Sequence, residues 1–191
     1  NGTQDAFYGE SQVLYFSTHQ SPGYPGTGGS EEMGKGPGLG YTINVPLRSG
    51  ADDAFYVRVF RELLCPVARS FRPELILVSA GFDTYVGDPL GGMKMTPEGF
   101  ACLTRILMDV ADECCQGRLV MTLEGGYHIQ GQTAAVNRVL LEMLDPTPLR
   151  EISCSALTTM DPARPTALPR LSLYIRPAFC KSSAPKANSI F

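Results

Sequence analysis

The chain has 191 residues, 43% of them hydrophobic, and a formal charge of −3 from 19 acidic and 16 basic side chains. That length suits one domain with a sizeable core, and with no basic block there is no electrostatic reason to expect nucleic acid or an anionic membrane as partner. No uncharged run is long enough to span a bilayer, no secretory signal is present, and six cysteines without a CxxC pair fit a reduced, cytoplasmic protein rather than a disulfide framework or a thiolate zinc site. Asn1 is not a methionine and no initiation or targeting pattern precedes the first motif, so the chain is expected to begin inside a longer protein.

Val13-Leu-Tyr-Phe16 reads as a short buried strand. Residues 21–40 are rich in Gly and Pro and predict a long surface loop, in which Tyr24 stands between Gly23 and Pro25. Its segment Gly34-Lys-Gly-Pro-Gly-Leu-Gly40 lacks the G-x-G-x-x-G spacing and is followed by a strand at 41–47 rather than a helix, so a flexible loop is expected and not a phosphate cradle. From 52 to 71, Tyr56, Phe60, Leu63 and Val67 keep helical spacing; Pro66 should bend that helix and Arg72-Pro73 end it. Leu75-Ile-Leu-Val78 suits a strand buried on both faces and runs into Ser79-Ala-Gly-Phe-Asp83. A second helix opens with Thr96 as N-cap and Pro97 at its first position, and carries Phe100, Leu103, Leu107, Val110 and Cys114 along one face. Leu119-Val-Met-Thr-Leu123 makes the next strand and Glu124-Gly-Gly-Tyr127 a turn. Val136, Val139, Leu140 and Met143 form the stripe of a third helix.

Strands and helices that alternate with short connections predict an α/β fold of parallel strands joined by right-handed crossovers. The division expected is a domain over 1–144 and a proline-rich tail over 145–191, with a short strand at 171–175.

Ser17, Asp83 and Tyr127 each follow an apolar strand, so parallel pairing would bring all three to one edge of the sheet, where ligands collect in open α/β folds. A carboxylate there can ligate a divalent metal, and a phenol can donate a hydrogen bond to an oxygen that becomes negative during attack on a carbonyl. Taken singly, a capping Asp83 and a loop-closing Tyr127 are the plainer readings; their shared position at strand ends favours a site. His19 and His128 read as hydrogen-bonded loop residues rather than ligands or bases. A catalytic zinc normally takes about three protein ligands, and of these only Asp83 stands out.

Asn1-Gly-Thr-Gln4, Pro25-Gly-Thr-Gly28, Tyr41-Thr-Ile-Asn-Val-Pro-Leu47, Ser79-Ala-Gly-Phe-Asp83, Asp88-Pro-Leu-Gly91 and Leu123-Glu-Gly-Gly-Tyr127, in this order and spacing, resemble the C-terminal half of a zinc-dependent histone deacetylase. The likeness runs from residue 1 to 144 and is nearer to the class II and bacterial acetylpolyamine or acetoin-utilisation branch than to class I. It implies an arginase-deacetylase fold, a parallel sheet flanked by helices and here incomplete at its N-terminus, with a zinc at the bottom of a narrow acyl-lysine tunnel. By matching position, Asp83 would be a zinc ligand and Tyr127 the oxyanion-stabilising hydroxyl, while Tyr24, Leu90 and Gly125 would line the tunnel. The family also binds potassium: Ser17 and Thr18 match an inner site near the zinc, and Phe7, Glu10, Val13 and Tyr41 match an outer site formed largely by carbonyl oxygens.

The reaction implied is hydrolysis of an N-acetyl amide on acetyl-lysine, in a histone or other protein, or on an acetylpolyamine. A homo-oligomer is compatible with the family, and a eukaryotic member could be nuclear instead of cytoplasmic. In the family an Asp-x-His-His-Gly segment stands immediately before the Asn-Gly-Thr that opens this chain; it supplies two zinc ligands and one member of a histidine dyad. The chain alone is therefore expected to bind zinc weakly and not to deacetylate. The alternatives are a non-catalytic truncated paralogue that serves as a binding module, and an unrelated α/β binding protein in which Asp83 is a cap.

Overall fold

The computed structural model describes residues 1–144 and the pair 189–190. Apart from that pair, the expected tail, with its strand at 171–175, lies outside the described residues. The strands are β1 (Val13–Gln20), β2 (Thr42–Leu47), β3 (Leu75–Ala80), β4 (Leu119–Leu123) and β5 (Ser189–Ile190), and the helices α1 (Gly2–Phe7), α2 (Asp53–Val59), α3 (Cys65–Phe71), α4 (Pro97–Cys115) and α5 (Ile129–Leu144). All strand pairs are parallel, in the order β2-β1-β5-β3-β4, and helices flank the sheet, the arrangement of the arginase-deacetylase fold.

The register places the strand ends together. β1 and β2 pair from Tyr15 beside Thr42 to Gln20 beside Leu47, and β3 and β4 from Ile76 beside Leu119 to Ala80 beside Leu123. The middle of the sheet is different. The two residues of β5 join β1 and β3 only at their beginnings, beside Val13 and Leu14 on one side and Leu75 and Ile76 on the other. Beyond them, both strands line a cavity of about 610 Å³.

That opening explains a departure from expectation. β3 is not buried on both faces: Ile76 is covered, Leu75, Leu77 and Val78 are only partly so, and Ser79 is exposed. An apolar run of this kind is buried only where layers cover both of its faces, and here one side of β3 borders the cavity.

Residues 53–71 are helical throughout, as the periodicity predicts, but Pro66 is accommodated by a widened π turn over Phe60–Leu64. There the Cys65 N–H donates to the Phe60 carbonyl, five residues back. Asp52 caps α2 by accepting from the Phe55 N–H at 3.1 Å, and Arg72, in the left-handed conformation, ends α3. Thr96 caps α4 by accepting from the Gly99 N–H at 3.2 Å. The buried Asp53 carboxylate then accepts from the Thr96 N–H at 2.8 Å and hydroxyl at 2.6 Å, which ties the starts of α2 and α4 together.

Phe100, Leu107 and Val110 of α4 are buried, and Leu103 and Cys114 pack against the core, so the expected face is the inner one. Arg105, Ile106 and Ala111 are buried as well, because α5 packs on α4. The stripe expected for α5 is corrected. Gly131, Ala135, Val139 and Glu142 face inward, Val136 packs partly, and Leu140 and Met143 are exposed. Glu142 is drawn in by Arg105, whose Nε donates to it at 2.7 Å, and Gly131 leaves room for the Tyr85 ring. Charge pairing and close approach thus outweigh the apolar pattern.

The loop at 21–40 is exposed up to Thr27. In its glycine cluster the Lys35 N–H donates to the Tyr8 carbonyl at 2.9 Å and the Gly40 N–H to the Met33 carbonyl at 2.7 Å. Burial pushes the thiols of Cys65, Cys114 and Cys115 up, away from thiolate reactivity.

Candidate functional site

Ser17, Thr18, Tyr24, Asp83, Leu90, Gly125 and Tyr127 all border the 610 Å³ cavity at the carboxyl ends of β1, β3 and β4. The parallel register brings these loops to one edge, since Ala80 lies beside Leu123 and each strand then turns out of the sheet. Two backbone bonds lock the turns after β3 and β4 together: Glu124 N–H to the Ala80 carbonyl at 3.0 Å, and Phe82 N–H to the Gly125 carbonyl at 2.8 Å.

Asp83 is half-buried and held between glycines. A Cβ on Gly125 would lie 2.6 Å from its Oδ2 and one on Gly81 3.2 Å from its Oδ1, so bare backbone forms the wall on both sides of the carboxylate. Burial, and then the neighbouring Asp88 charge, push its carboxyl above the usual range. The glycines before Tyr127 thus make room for Asp83 as well as bordering the cavity. Gly126, at φ +133, has the backbone conformation that the turn demands.

Tyr127 is 54% exposed and its ring extends from this turn. Its backbone is fixed by Asp88, a buried residue whose Oδ2 accepts from the Tyr127 N–H at 2.7 Å and the His128 N–H at 3.2 Å, and whose Oδ1 accepts from the Leu90 N–H at 2.9 Å. Sequence reasoning quoted Asp88 only as part of a motif. The signal available was an Asp that forms a local turn two residues long.

Both histidines are hydrogen-bonded. His19 lies within β1 rather than after it; its Nε2 donates to the Gly28 carbonyl at 2.9 Å and its Nδ1 accepts from the Ser17 hydroxyl at 3.0 Å, a tautomer assigned from these contacts. Burial lowers its pKa, which favours the neutral ring. His128 caps α5, its Nδ1 accepting from the Gly131 N–H at 2.9 Å.

Phe7, Glu10, Val13 and Tyr41 lie away from the cavity, between the end of α1 and the starts of β1 and β2. The Phe7 carbonyl accepts from the Glu10 N–H at 3.0 Å and the Tyr41 carbonyl from the Tyr15 N–H at 2.8 Å. Two further features were not foreseen. Glu32 organises the loop after β1: its Oε1 accepts from Gly28 N–H at 2.8 Å and Gly29 N–H at 2.9 Å, its Oε2 from Gln4 at 2.6 Å. Tyr56 borders the cavity with its buried hydroxyl unpartnered among the described residues, and burial raises its pKa.

Among the described residues no group of three His, Cys, Asp or Glu side chains converges to hold a metal ion. Asp83 is a lone donor, and the residues present do not make up a zinc centre.

Residues 1–143 match the description of the histone deacetylase domain. The chain is 44% identical over 137 residues to a "Probable deacetylase" of Archaeoglobus fulgidus, covering 72% of this chain and 38% of that protein. It is 43% identical over 136 residues to "Histone deacetylase 14, chloroplastic" of Arabidopsis thaliana, covering 71% and 32%. The solved structure of the histone deacetylase Clr3 superposes with a TM-score of 0.74 at 34% identity, over 93% of this chain and 30% of that one. The chain thus spans about a third of the length of these curated relatives.

Proposed function

The chain belongs to the histone deacetylase family, and from that premise we propose that residues 1–144 are the C-terminal part of a catalytic domain that hydrolyses the N-acetyl amide of acetyl-lysine or an acetylpolyamine, with 145–191 as a tail outside it. The observation that carries this reading is the meeting of Asp83 and Tyr127 at the ends of two neighbouring parallel strands on one cavity. The Tyr127 phenol donates to the acetyl oxygen as the carbonyl carbon becomes tetrahedral. Asp83 contributes one donor to the family's zinc, and the other donors come from polypeptide outside the described residues. Tyr24 and Leu90, at 101% and 72% exposure, stand at the rim with Gly125 deeper beside Asp83. Ser17 and Thr18 serve an inner potassium site, and the carbonyls around Phe7, Glu10, Val13 and Tyr41 an outer one.

The sheet supports a place for the missing donors. Asn1 borders the cavity together with Ser17 and Asp83, at the carboxyl edge of the strands. Residues 1–12 contain α1 and are long enough for a short crossover, and consecutive parallel strands are usually neighbours. One edge of β1 is taken by β2 and the other is met by β5 only beside Val13 and Leu14, so a strand ahead of Asn1 would lie between β1 and β3 where β5 leaves them unpaired, and would end beside Asp83. The unpartnered Tyr56 hydroxyl on the same cavity would then meet polar backbone.

A second reading is a non-catalytic truncated paralogue that serves as a binding module. Assays of the 191-residue chain and of an N-terminally extended protein, on acetyl-lysine peptide and acetylpolyamine, separate the two. The proposal expects the extended protein alone to be active, in a chelator-sensitive way, and Tyr127→Phe to lower its turnover on the order of a hundredfold or more. An inactive extended protein, or full turnover by Tyr127→Phe, would overturn it.

A further inference from the structure

We propose that Asp88 is a positioning residue for Tyr127, a carboxylate clamp that holds the turn after β4 against the loop after β3 and so sets where the phenol is presented. This rests on the reading of Tyr127 given above.

Apart from the bonds of the Glu124 N–H to the Ala80 carbonyl and the Phe82 N–H to the Gly125 carbonyl, which join the turns up to Gly125, Tyr127 has little else to hold it among the described residues. The residue is 54% exposed, so packing holds it only in part, and Gly125 and Gly126 before it lend the backbone no side-chain contact of their own. The Tyr127 N–H, by contrast, donates at 2.7 Å to Asp88 Oδ2, which also takes the His128 N–H at 3.2 Å. Bonds from backbone N–H to a carboxylate are roughly twice as strong as neutral ones. Asp88 is only 5% exposed, and its other oxygen is used by the Leu90 N–H at 2.9 Å, so the carboxylate is anchored in its own loop before it reaches across. Its charge also stands beside the N-terminus of α5, where an anion is favoured.

The two carboxylates of the site thus differ in kind. Asp88 has three backbone donors on its two oxygens, and these donors account for its burial. Asp83 lies against bare glycine backbone with its carboxyl directed to the cavity. Asp88 is built to hold protein, and Asp83 to hold something else.

Asp88→Asn keeps the shape but turns one oxygen into an amide N–H₂, which faces a backbone donor whichever way it is placed. Amide hydrogen exchange on the 191-residue chain tests the clamp independently of any activity. Exchange at Tyr127 and His128 should rise at least tenfold, while the amides of β3 and β4 stay protected. In the extended protein, Asp88→Asn should lower kcat tenfold to a hundredfold with little change in KM, since a misplacement of about 1 Å can cost on the order of a hundredfold. Added to Tyr127→Phe it should cost almost nothing further, because it acts through that hydroxyl. Should Asp88→Asn fail to fold, Asp88→Glu, which misplaces the same charge by one methylene, is read in the same two ways. Unchanged exchange at Tyr127 and His128 would overturn the clamp. Full additivity with Tyr127→Phe would overturn the positioning role. An extended wild-type protein without deacetylase activity would refute the reading of Tyr127 and leave the exchange result to decide the clamp.

Discussion

Gly125→Ala adds one methyl group at the wall of the site. The new Cβ would lie 2.6 Å from Asp83 Oδ2 and 3.2 Å from its Cγ, about 0.8 Å short of the 3.4 Å at which ordinary contact begins. Asp83 has a short side chain, and the Gly125 backbone is held by the Phe82 N–H, which donates to its carbonyl at 2.8 Å, so relief requires the carboxylate to turn away or that bond to shift. The backbone at Gly125 is not in the positive-φ region, so the perturbation is steric and local. Overpacking of this kind costs about 1–3 kcal/mol. It should appear as a lower urea midpoint with an unchanged slope. Gly2→Ala is the control: nothing lies within 4 Å of its new Cβ, and alanine suits α1. In the extended protein the displaced carboxylate should also lower kcat/KM on the order of a hundredfold. A Gly125→Ala protein with the stability and the activity of the wild type would refute the close approach on which this picture of Asp83 depends.

Two further perturbations probe the frame around the site. Arg105 and Glu142 are buried, with side chains 8% and 5% exposed, so Glu142→Gln leaves a guanidinium charge in the interior. The expected loss is about 3 kcal/mol, at the low end for such pairs because Asp109 remains near Arg105; a loss below about 1 kcal/mol by urea denaturation would contradict it. His19 is half-buried and its pKa is depressed below 6.5, so the unfolded chain takes up a proton first as pH falls. Its contribution is therefore complete above pH 6.5 and is lost below it, down to the folded pKa. Wild-type stability should drop more than that of His19→Gln between pH 7 and pH 5.5, and parallel curves would show that the ring nitrogens are not held as described.

The local chemistry of the chain was legible where it depends on neighbours in sequence. Thr96 and Pro97 start α4 because a hydroxyl and a ring without N–H satisfy the first turn wherever the helix sits. The strands at 75–80 and 119–123 likewise follow from runs of aliphatic residues between turn signals. The six motifs were enough to place the chain in its family, and Asp83 and Tyr127 at strand ends. Leu140 and Met143 were misplaced because periodicity weighs residues by polarity alone. It cannot see that Arg105 draws Glu142 inward from the neighbouring helix.

What the sequence determined by itself, then, was the order of elements, their caps and the residue types brought to one edge. The tertiary structure decided which backbone groups meet across loops far apart in the chain. Asp88 reaches Tyr127 across 39 positions, Glu32 reaches Gln4 across 28, and Gly125 makes room for Asp83 across a whole strand and helix. It also decided that β1 and β3 stand apart around a cavity. No pattern within either strand encodes that separation, because the edge of a strand consists of N–H and C=O groups that every residue but proline carries alike.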